Sequence, residues 1–168
     1  MAAVLERSYE RTVRVMAPLL GLYREMDSVD GLVRFLAEVD SYVSSPTDDS
    51  ATLIGSLCIG PLSYRLEGSL MIHRVVPPNS LRIRMRAPSL QLELEGTFEF
   101  TASAAEETTL RYSATMRSSH PLVRRMRSSL TGALEEHVDS ATDLVAVRAR
   151  QYAEAERRFN DLQQSGHD

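Results

Sequence analysis

Apolar and polar residues alternate along several stretches of the chain, a pattern typical of strands that present one buried and one solvated face. The clearest stretch is residues 90–100, where every even position except Gly96 is large and apolar and every odd position is polar. Residues 81–86 and 110–116 repeat the pattern. These segments predict a sheet that is wet on one side and must bury its other side against another element.

The covering element is predicted to be one long amphipathic helix that begins at His120 and Pro121. From Leu122 to Phe159, apolar residues recur at intervals of three and four, which places them on one helix face. No other segment is large enough to cover the sheet. We therefore expect the apolar face of this helix, including Leu144, Tyr152, Ala155 and Phe159, to pack against the apolar face of the sheet.

The remaining elements complete a predicted α+β architecture. Residues 11–16 predict a first strand, and two short helices follow over 19–26 and 29–39, the second capped by Asp27-Ser28 or by Ser28 alone. Further strands are predicted over 40–45, 51–59 and 62–75. Short turns rich in Pro, Asn, Asp and Ser imply antiparallel neighbours. The expected fold is a curved antiparallel sheet of about six to seven strands around one long C-terminal helix.

Length and composition predict one soluble domain. The 168 residues, 43% hydrophobic and 25% charged, are typical of a globular domain spanning 1–168, with 1–8 and 163–168 as frayed ends. No stretch approaches the roughly 20 apolar residues of a membrane span, and the N-terminus has no apolar signal core. We expect a cytoplasmic protein, or one that is peripheral to a membrane.

Charge and residue usage exclude several kinds of chemistry. The net charge of −4 argues against a nucleic-acid partner. All 19 basic residues are arginines, so Schiff-base chemistry on a lysine is excluded. Cys58 is the single cysteine, which excludes an internal disulfide and a cysteine-built zinc site, and no two histidines have the spacing of a helical metal site. We predict neither a metal nor a cofactor.

The order of elements resembles the START-like or helix-grip superfamily, also called SRPBCC. Residues 60–68, 75–78 and 108–112 are similar to the Gly-Pro, Pro-turn and Thr-x-Leu-x-Tyr features of two of its branches. One branch contains proteins like the G-type subunit of carbon monoxide dehydrogenase, and the other contains polyketide cyclase/dehydrase-like proteins. The resemblance covers roughly residues 9–160 and marks turns and strand starts. It implies a hydrophobic ligand (a lipid, quinone, isoprenoid or polyketide-like molecule) in a hollow under the long helix, and it carries over no catalytic residue.

Strand parity selects the residues that would line this hollow. The candidate ligand-binding residues are inward-facing positions of the sheet and one position of the helix, namely Tyr64, Leu66, Leu70, Ile83, Leu92, Phe98, Tyr112 and Leu130. Tyr64 and Tyr112 are the polar members, and a buried tyrosine hydroxyl needs a hydrogen-bonding partner such as a ligand oxygen. A filled core, with both hydroxyls bonded to backbone or water, gives the same pattern and stays open as the alternative.

Two groups of arginines have different predicted roles. Arg82, Arg84 and Arg86 have outward parity opposite Glu93, Glu95 and Glu99, which predicts a solvated cross-strand charge ladder. Arg117, Arg124, Arg125 and Arg127 fall within eleven residues that contain no acid. This second group predicts a docking surface for an anionic membrane or an acidic protein partner. The alternative is that these arginines pair with acids between residues 27 and 49.

Three functions are compatible with these features. The first is a carrier or sensor of a hydrophobic small molecule. The second is a cyclase or dehydratase, in which Tyr64, Tyr112, Arg111 or His120 would have to reach the substrate. The third is a docking module that uses the basic cluster. The inward positions are mostly aliphatic, and this favours a carrier over a catalyst.

Overall fold

In the part of the chain that the structure describes, seven antiparallel strands form one sheet, and a short helix and then the longest helix follow the last strand. The structure is a computed structural model that describes residues 4–35, 39–59, 61–125 and 127–165, without the side chains of 35, 57–59, 62 and 127–141. The elements are β1 (Leu5–Val15), α1 (Leu19–Met26), α2 (Val29–Phe35), β2 (Val39–Ser44), β3 (Ser50–Ile59), β4 (Leu62–Val76), β5 (Ser80–Ala87), β6 (Leu92–Ala104), β7 (Glu107–Ser118), α3 (Pro121–Arg125) and α4 (Arg127–Ser165).

The strand order in the sheet is β1-β7-β6-β5-β4-β3-β2, so each strand from β2 to β7 lies beside its neighbour in sequence. The register sets Leu81 of β5 opposite Phe98 of β6, and Phe98 opposite Tyr112 of β7. Paired residues share a face, and the alternating apolar positions therefore combine into one continuous apolar surface. The predicted helix-grip fold class is confirmed.

Segments near both ends of the described chain belong to regular elements. Residues 5–8, predicted to fray, pair with residues 115–118 of β7, and β1 begins at Leu5 rather than residue 11. Residues 163–165, also predicted to fray, belong to α4. The extra strand pairing is supported by charge, because Glu6 Oε2 accepts a hydrogen bond of 2.8 Å from Arg117 Nε.

The start of β6 differs from the prediction. Residues 88–90 form a 3-10 turn in which Gln91 N donates to Pro88 O at 3.0 Å, and Gln91 has a left-handed φ of 47°. Leu90 is nevertheless buried, and its carbonyl accepts a hydrogen bond of 2.8 Å from Ser118 Oγ. The alternating run therefore begins at Leu92, since Pro88 starts a turn instead of a strand.

The convex face carries the predicted charge ladder. Arg86 lies opposite Glu93 and Arg84 opposite Glu95 in the register. Arg86 Nε donates to Glu93 Oε1 at 3.0 Å, and Arg84 Nε donates to Glu95 Oε1 at 2.9 Å. The ladder prediction is confirmed for Arg84 and Arg86, which face away from the helices, whereas Arg82 lies opposite Thr97 and Glu99 lies opposite Ser80.

Close packing between α1 and α4 closes one end of the fold. A Cβ on Gly21 would lie 2.7 Å from Ala149 O, so the two helix backbones meet where no side chain fits. Leu22 and Met26 of α1 and Val145 of α4 are buried in the same core. Ser28 Oγ accepts a hydrogen bond of 3.0 Å from Gly31 N, which confirms Ser28 as the N-cap of α2.

The last four turns of α4 do not face the sheet as predicted. Tyr152, Phe159 and Leu162 are 50%, 60% and 73% exposed, and Leu144 is also exposed. The buried side of α4 in the described part of the helix is formed by Thr142, Val145, Ala146 and Ala149. Among the described residues 150–165, Ala153 alone is partly buried and the others are exposed. None of the helices in the described ranges is long and apolar enough to cross a membrane.

Candidate functional site

The concave face of the sheet divides into a closed half and an open patch. The closed half consists of fully buried side chains under α1, α2 and α4, among them Val15, Leu70, Leu81, Ile83, Phe98, Phe100, Leu110 and Tyr112. The open patch consists of inward-facing apolar residues that are only partly buried: Leu66, Met85, Leu92, Leu94 and Met116. Partly exposed apolar surface on the inner face of a sheet is where a small apolar molecule can be bound.

Strand register explains why the open patch is continuous. Met116 lies directly opposite Leu94, and Leu94 lies directly opposite Met85, so the three side chains form one row across β7, β6 and β5. Leu92 follows on the same face of β6. The methionines are flexible and polarisable, a property suited to contact with ligands of different shapes.

A pair of tyrosines lies beside the open patch. The Tyr112 hydroxyl donates to the Tyr9 hydroxyl at 3.1 Å, and the two ring centroids are 5.5 Å apart. Phe98 extends the aromatic group, with its centroid 6.1 Å from that of Tyr112. Tyr9 is opposite Ala114, a small residue between Tyr112 and Met116 on β7. A phenol can donate once and accept twice, so Tyr9 keeps hydrogen-bonding capacity beyond its bond to Tyr112.

An arginine shares this face with the tyrosine pair. Arg11 is partly buried and lies directly opposite Tyr112 in the pairing of β1 with β7. Its parity is that of Val13 and Val15, the apolar residues of β1. Arg11 therefore has the same parity as Tyr9 and Tyr112, the two tyrosines that are joined by a hydrogen bond.

The predicted ligand-binding residues are distributed over both halves. Leu66 and Leu92 belong to the open patch, and Phe98 and Tyr112 are buried at its border. Leu70 and Ile83 lie in the closed half. Tyr64 is 38% exposed on β4. The side chain of Leu130 lies outside the described residues.

Sequence reasoning missed Tyr9 and Arg11. In the structure Tyr9, Arg11, Val13 and Val15 occupy alternate positions of β1 and are more buried than the residues between them. The sequence signal that could have found them is this spacing of two residues. The first strand was predicted to begin only at residue 11. Charged residues stand at both odd and even positions of β1, and they obscured its alternation of apolar and polar residues. Long-range pairing with β7 decides the parity of these residues.

The predicted basic cluster is divided by the fold. Arg117 faces the convex side and pairs with Glu6, so it belongs to the charge ladder. Arg124 and Arg125 are exposed on α3, and neither has an ion pair among the described residues. The side chain of Arg127 lies outside the described part. His120 Nδ1 accepts a hydrogen bond of 3.2 Å from Leu122 N, which makes His120 a cap of α3.

Acids between residues 25 and 30 pair with other arginines. Arg148 Nε lies 3.1 Å from Glu25 Oε1, and Arg74 Nε lies 2.7 Å from Asp27 Oδ1. Asp30 pairs with Arg34 at 2.7 Å. Of the acids between residues 27 and 49 that were the alternative partners of Arg124 and Arg125, Asp27 and Asp30 thus pair with other arginines. Glu25 is only 3% exposed, and burial raises the pKa of its carboxyl above the ordinary value despite the arginines nearby.

No protein-family model and no curated protein matches the sequence. Solved structures do match. A START superfamily protein from Mycobacterium smegmatis superposes with a TM-score of 0.62 at 13% identity, over 81% of this chain and 94% of that one. The chain has the START-like helix-grip fold. Among the described residues of this helix-grip chain, no three side chains are grouped to hold a metal ion.

Two enzymes share the helix-grip fold with this chain. Norcoclaurine synthase from Thalictrum flavum, in complex with dopamine and hydroxybenzaldehyde, has a TM-score of 0.60 at 9% identity, over 86% of this chain and 88% of that one. Zhui aromatase/cyclase from Streptomyces sp. R1128 has a TM-score of 0.59 at 16% identity, over 92% and 96%. At these identities the similarity concerns the fold.

Proposed function

We propose that the protein binds a hydrophobic small molecule against the open patch, as a carrier or sensor. The candidate ligands are a lipid, a quinone, an isoprenoid or a polyketide-like molecule. The observation that carries this proposal is the contrast between the partly exposed row Met85, Leu94 and Met116 and the fully buried closed half. Covering apolar surface releases about 25 cal/mol per Å², so a ligand that completes the burial gains affinity from this row.

The tyrosine pair supplies orientation in this proposal. A ligand whose apolar part lies on Met116 and Leu94 can place an oxygen near the Tyr9 hydroxyl, which is bonded once within the described residues. Arg11, on the same face, favours a carbonyl or acidic oxygen over a wholly apolar ligand end. The structurally similar norcoclaurine synthase is in complex with dopamine and hydroxybenzaldehyde, two molecules that carry oxygen, which supports an oxygenated ligand here.

A cyclase or dehydratase is the second candidate. The inner face holds Tyr9, Arg11 and Tyr112 together, a more polar group than the sequence predicted. Zhui aromatase/cyclase has the same fold. Two catalytic candidates from the sequence do not support this function: Arg111 pairs with Glu10 on the convex face, and His120 caps α3. A catalytic role would therefore depend on the tyrosine pair and Arg11.

A docking role for α3 is a separate proposal. Val123 anchors α3 in the fold, whereas Arg124 and Arg125 are exposed and lack ion pairs within the described residues. An anionic membrane or an acidic protein would match this charge. Binding to vesicles that contain anionic lipid should weaken as salt rises, and replacement of both arginines by glutamine should abolish that salt dependence. Binding that is unaffected by salt would exclude this role.

Native mass spectrometry of the gently purified protein tests the carrier proposal. We expect a bound small molecule in the wild type, and its loss in Leu94→Arg, which places a charge in the open patch. Val43→Arg is the matched control, because Val43 is 75% exposed on the edge strand β2. Retention of the molecule by Leu94→Arg would exclude the open patch as its site.

The enzyme candidate is tested on the same samples. A carrier releases its ligand unchanged, whereas a cyclase or dehydratase alters the mass or ultraviolet spectrum of an added polyketide-like substrate. A clean protein mass, with no thermal shift on addition of lipids, quinones or polyketide-like compounds, would contradict the carrier proposal.

A further inference from the structure

The row of Met85, Leu94 and Met116 in the open patch has one closed end and one open end. Leu70 of β4, which is fully buried, lies directly opposite Met85. At the other end, Arg7 of β1 lies directly opposite Met116. Arg7 is exposed, and β1 is the last strand at this side of the sheet. Burial therefore falls along the row, from a closed apolar end at Leu70 to a solvated, positively charged end at Arg7.

The position of Arg7 in β1 places it on the inner face of the sheet. Residues that lie opposite each other in paired strands share a face, with Cβ atoms about 4.5–5.5 Å apart, so Arg7 shares the face of Met116. Tyr9 is the next inward residue of β1. Arginine side chains lay their methylene groups along apolar surface and keep the guanidinium in water. A ligand with its apolar body on the row can therefore place a charged, partly solvated group at Arg7.

The charge of Arg7 has no partner, in contrast to that of other arginines of the sheet. On the convex face, Arg117 pairs with Glu6 at 2.8 Å. On the inner face, Arg74 of β4 pairs with Asp27 at 2.7 Å. Arg7 has no ion pair among the residues that the structure describes, and its opposite residue is a methionine. The inner face thus has a free positive charge where its apolar row meets solvent.

No acid shares the inner face with Arg7 in β5, in residues 92–102 of β6 or in residues 108–118 of β7. The inward positions of these segments are apolar or carry an uncharged polar side chain. An arginine binds carboxylates and other anions through charge-assisted hydrogen bonds. An anionic group that is joined to an apolar body matches both the charge of Arg7 and the row beside it.

We propose that Arg7 selects the ligand of the open patch, which is an amphiphile with one anionic group, such as a carboxylate. The apolar body lies on the row, and the anionic group lies at Arg7. This inference rests on the proposed function and narrows its ligand class, since neutral quinones and isoprenoids have no anionic group. From β5 to β1 the row spans about 14 Å, at the usual 4.7–4.9 Å between neighbouring strands. Decanoate, an unbranched acid of similar length, is a suitable probe.

Isothermal titration of the full chain with decanoate and with decan-1-ol tests this selection. We expect the wild type to bind decanoate about three- to tenfold more tightly, a factor between that of an exposed ion pair and that of a buried charged hydrogen bond. Arg7→Gln should lose this factor for decanoate and bind decan-1-ol as the wild type does. Arg14→Gln is the matched control, because Arg14 is an exposed arginine of the same strand with convex parity, opposite Thr109. Its affinities should equal those of the wild type.

Replacement of Arg7 by other charges tests whether the sign of its charge decides the preference. Arg7→Lys should still prefer decanoate to decan-1-ol. Arg7→Glu should instead bind protonated decylamine more tightly than decanoate, because it attracts the cation and repels the acid. A purely structural role of Arg7 in β1 would weaken the binding of all three compounds alike. Thermal unfolding of each variant checks that the fold is retained.

Three results would overturn the inference and leave the proposed function in place. They are equal affinity of the wild type for decanoate and decan-1-ol, a wild-type preference that persists in Arg7→Gln, and a neutral molecule that co-purifies with the protein. Binding of neither decanoate nor decan-1-ol by the wild type would contradict both the inference and the proposed function.

Discussion

The hydroxyl of Tyr9 is the residue-scale feature with the clearest functional consequence. It accepts a hydrogen bond from Tyr112 at 3.1 Å while its ring lies on the inner face of the sheet. A hydrogen bond contributes about 0.5–1.5 kcal/mol net, and the neighbouring aromatic contact positions the hydroxyl without restricting what it binds. In the proposed function, this residue favours a ligand that carries oxygen over a wholly apolar one.

Tyr9→Phe should weaken binding of an oxygenated ligand by about three- to tenfold, because one hydrogen bond is lost and the ring remains. Tyr112→Phe should have a similar effect, since it removes the bond that orients Tyr9. Isothermal titration with the co-purified ligand measures both changes. Tyr42→Phe is the control, because the Tyr42 hydroxyl donates instead to Asp30 at 2.7 Å. Equal affinity of all four proteins would contradict this role.

A buried acid links two elements, α1 and α4. Arg148 of α4 lies 3.1 Å from Glu25 of α1, close to the point where Gly21 meets Ala149. Burial raises the pKa of Glu25, Arg34 opposes this change, and Asp30 adds to it. The folded state therefore holds a proton on Glu25 more readily than the unfolded state does, and this group contributes more stability when protonated.

The contribution of Glu25 should be lost as pH rises. This loss takes place over the pH range that begins near 4.5, the ordinary pKa of a glutamate, and extends upward to the raised pKa of Glu25 in the folded state. Below this window both states are protonated, and above it the folded state contains an unfavourably buried charge. Relative to Glu25→Gln, the wild type should thus lose stability with rising pH, as measured by urea unfolding at several pH values. A relative gain would show that the pair with Arg148 outweighs burial.

The closed half and the open patch are properties of the whole molecule. The closed half is covered by α1, α2 and residues 142–149 of α4, whereas the open patch lies towards the other end of β6 and β7. Stability should therefore reside mainly in the closed half, and binding in the open patch. The two properties can be separated by matched truncations.

Phe100→Ala should lower the free energy of unfolding by about 3–5 kcal/mol, because Phe100 is only 1% exposed. Its ring also packs edge-on against Tyr23, with the two ring centroids 5.6 Å apart. Met116→Ala should cost about 1–2 kcal/mol, since its side chain is only partly buried. Met116→Ala should also weaken ligand binding, which urea unfolding and titration measure together. Equal losses of stability in Phe100→Ala and Met116→Ala would contradict the division of the inner face into a closed half and an open patch.

Local patterns were sufficient for most of the fold. The alternation in residues 81–86 and 110–116, and the boundaries of the helix at 19–26, follow from side-chain period and from turn residues. The charge ladder follows from the same parity, because a residue's face within a strand is set locally. Those features needed no knowledge of distant contacts.

Tertiary pairing decided the candidate site. Tyr9 and Arg11 took their place from the register of β1 on β7, a contact between residues about a hundred positions apart. The exposure of Phe159 depended on where the body under α4 ends, which helical periodicity does not encode. Local sequence therefore determined which face of its element each side chain occupies. Only the assembled sheet and helices decided whether that face is buried or exposed, because the burial of a side chain depends on what packs against it.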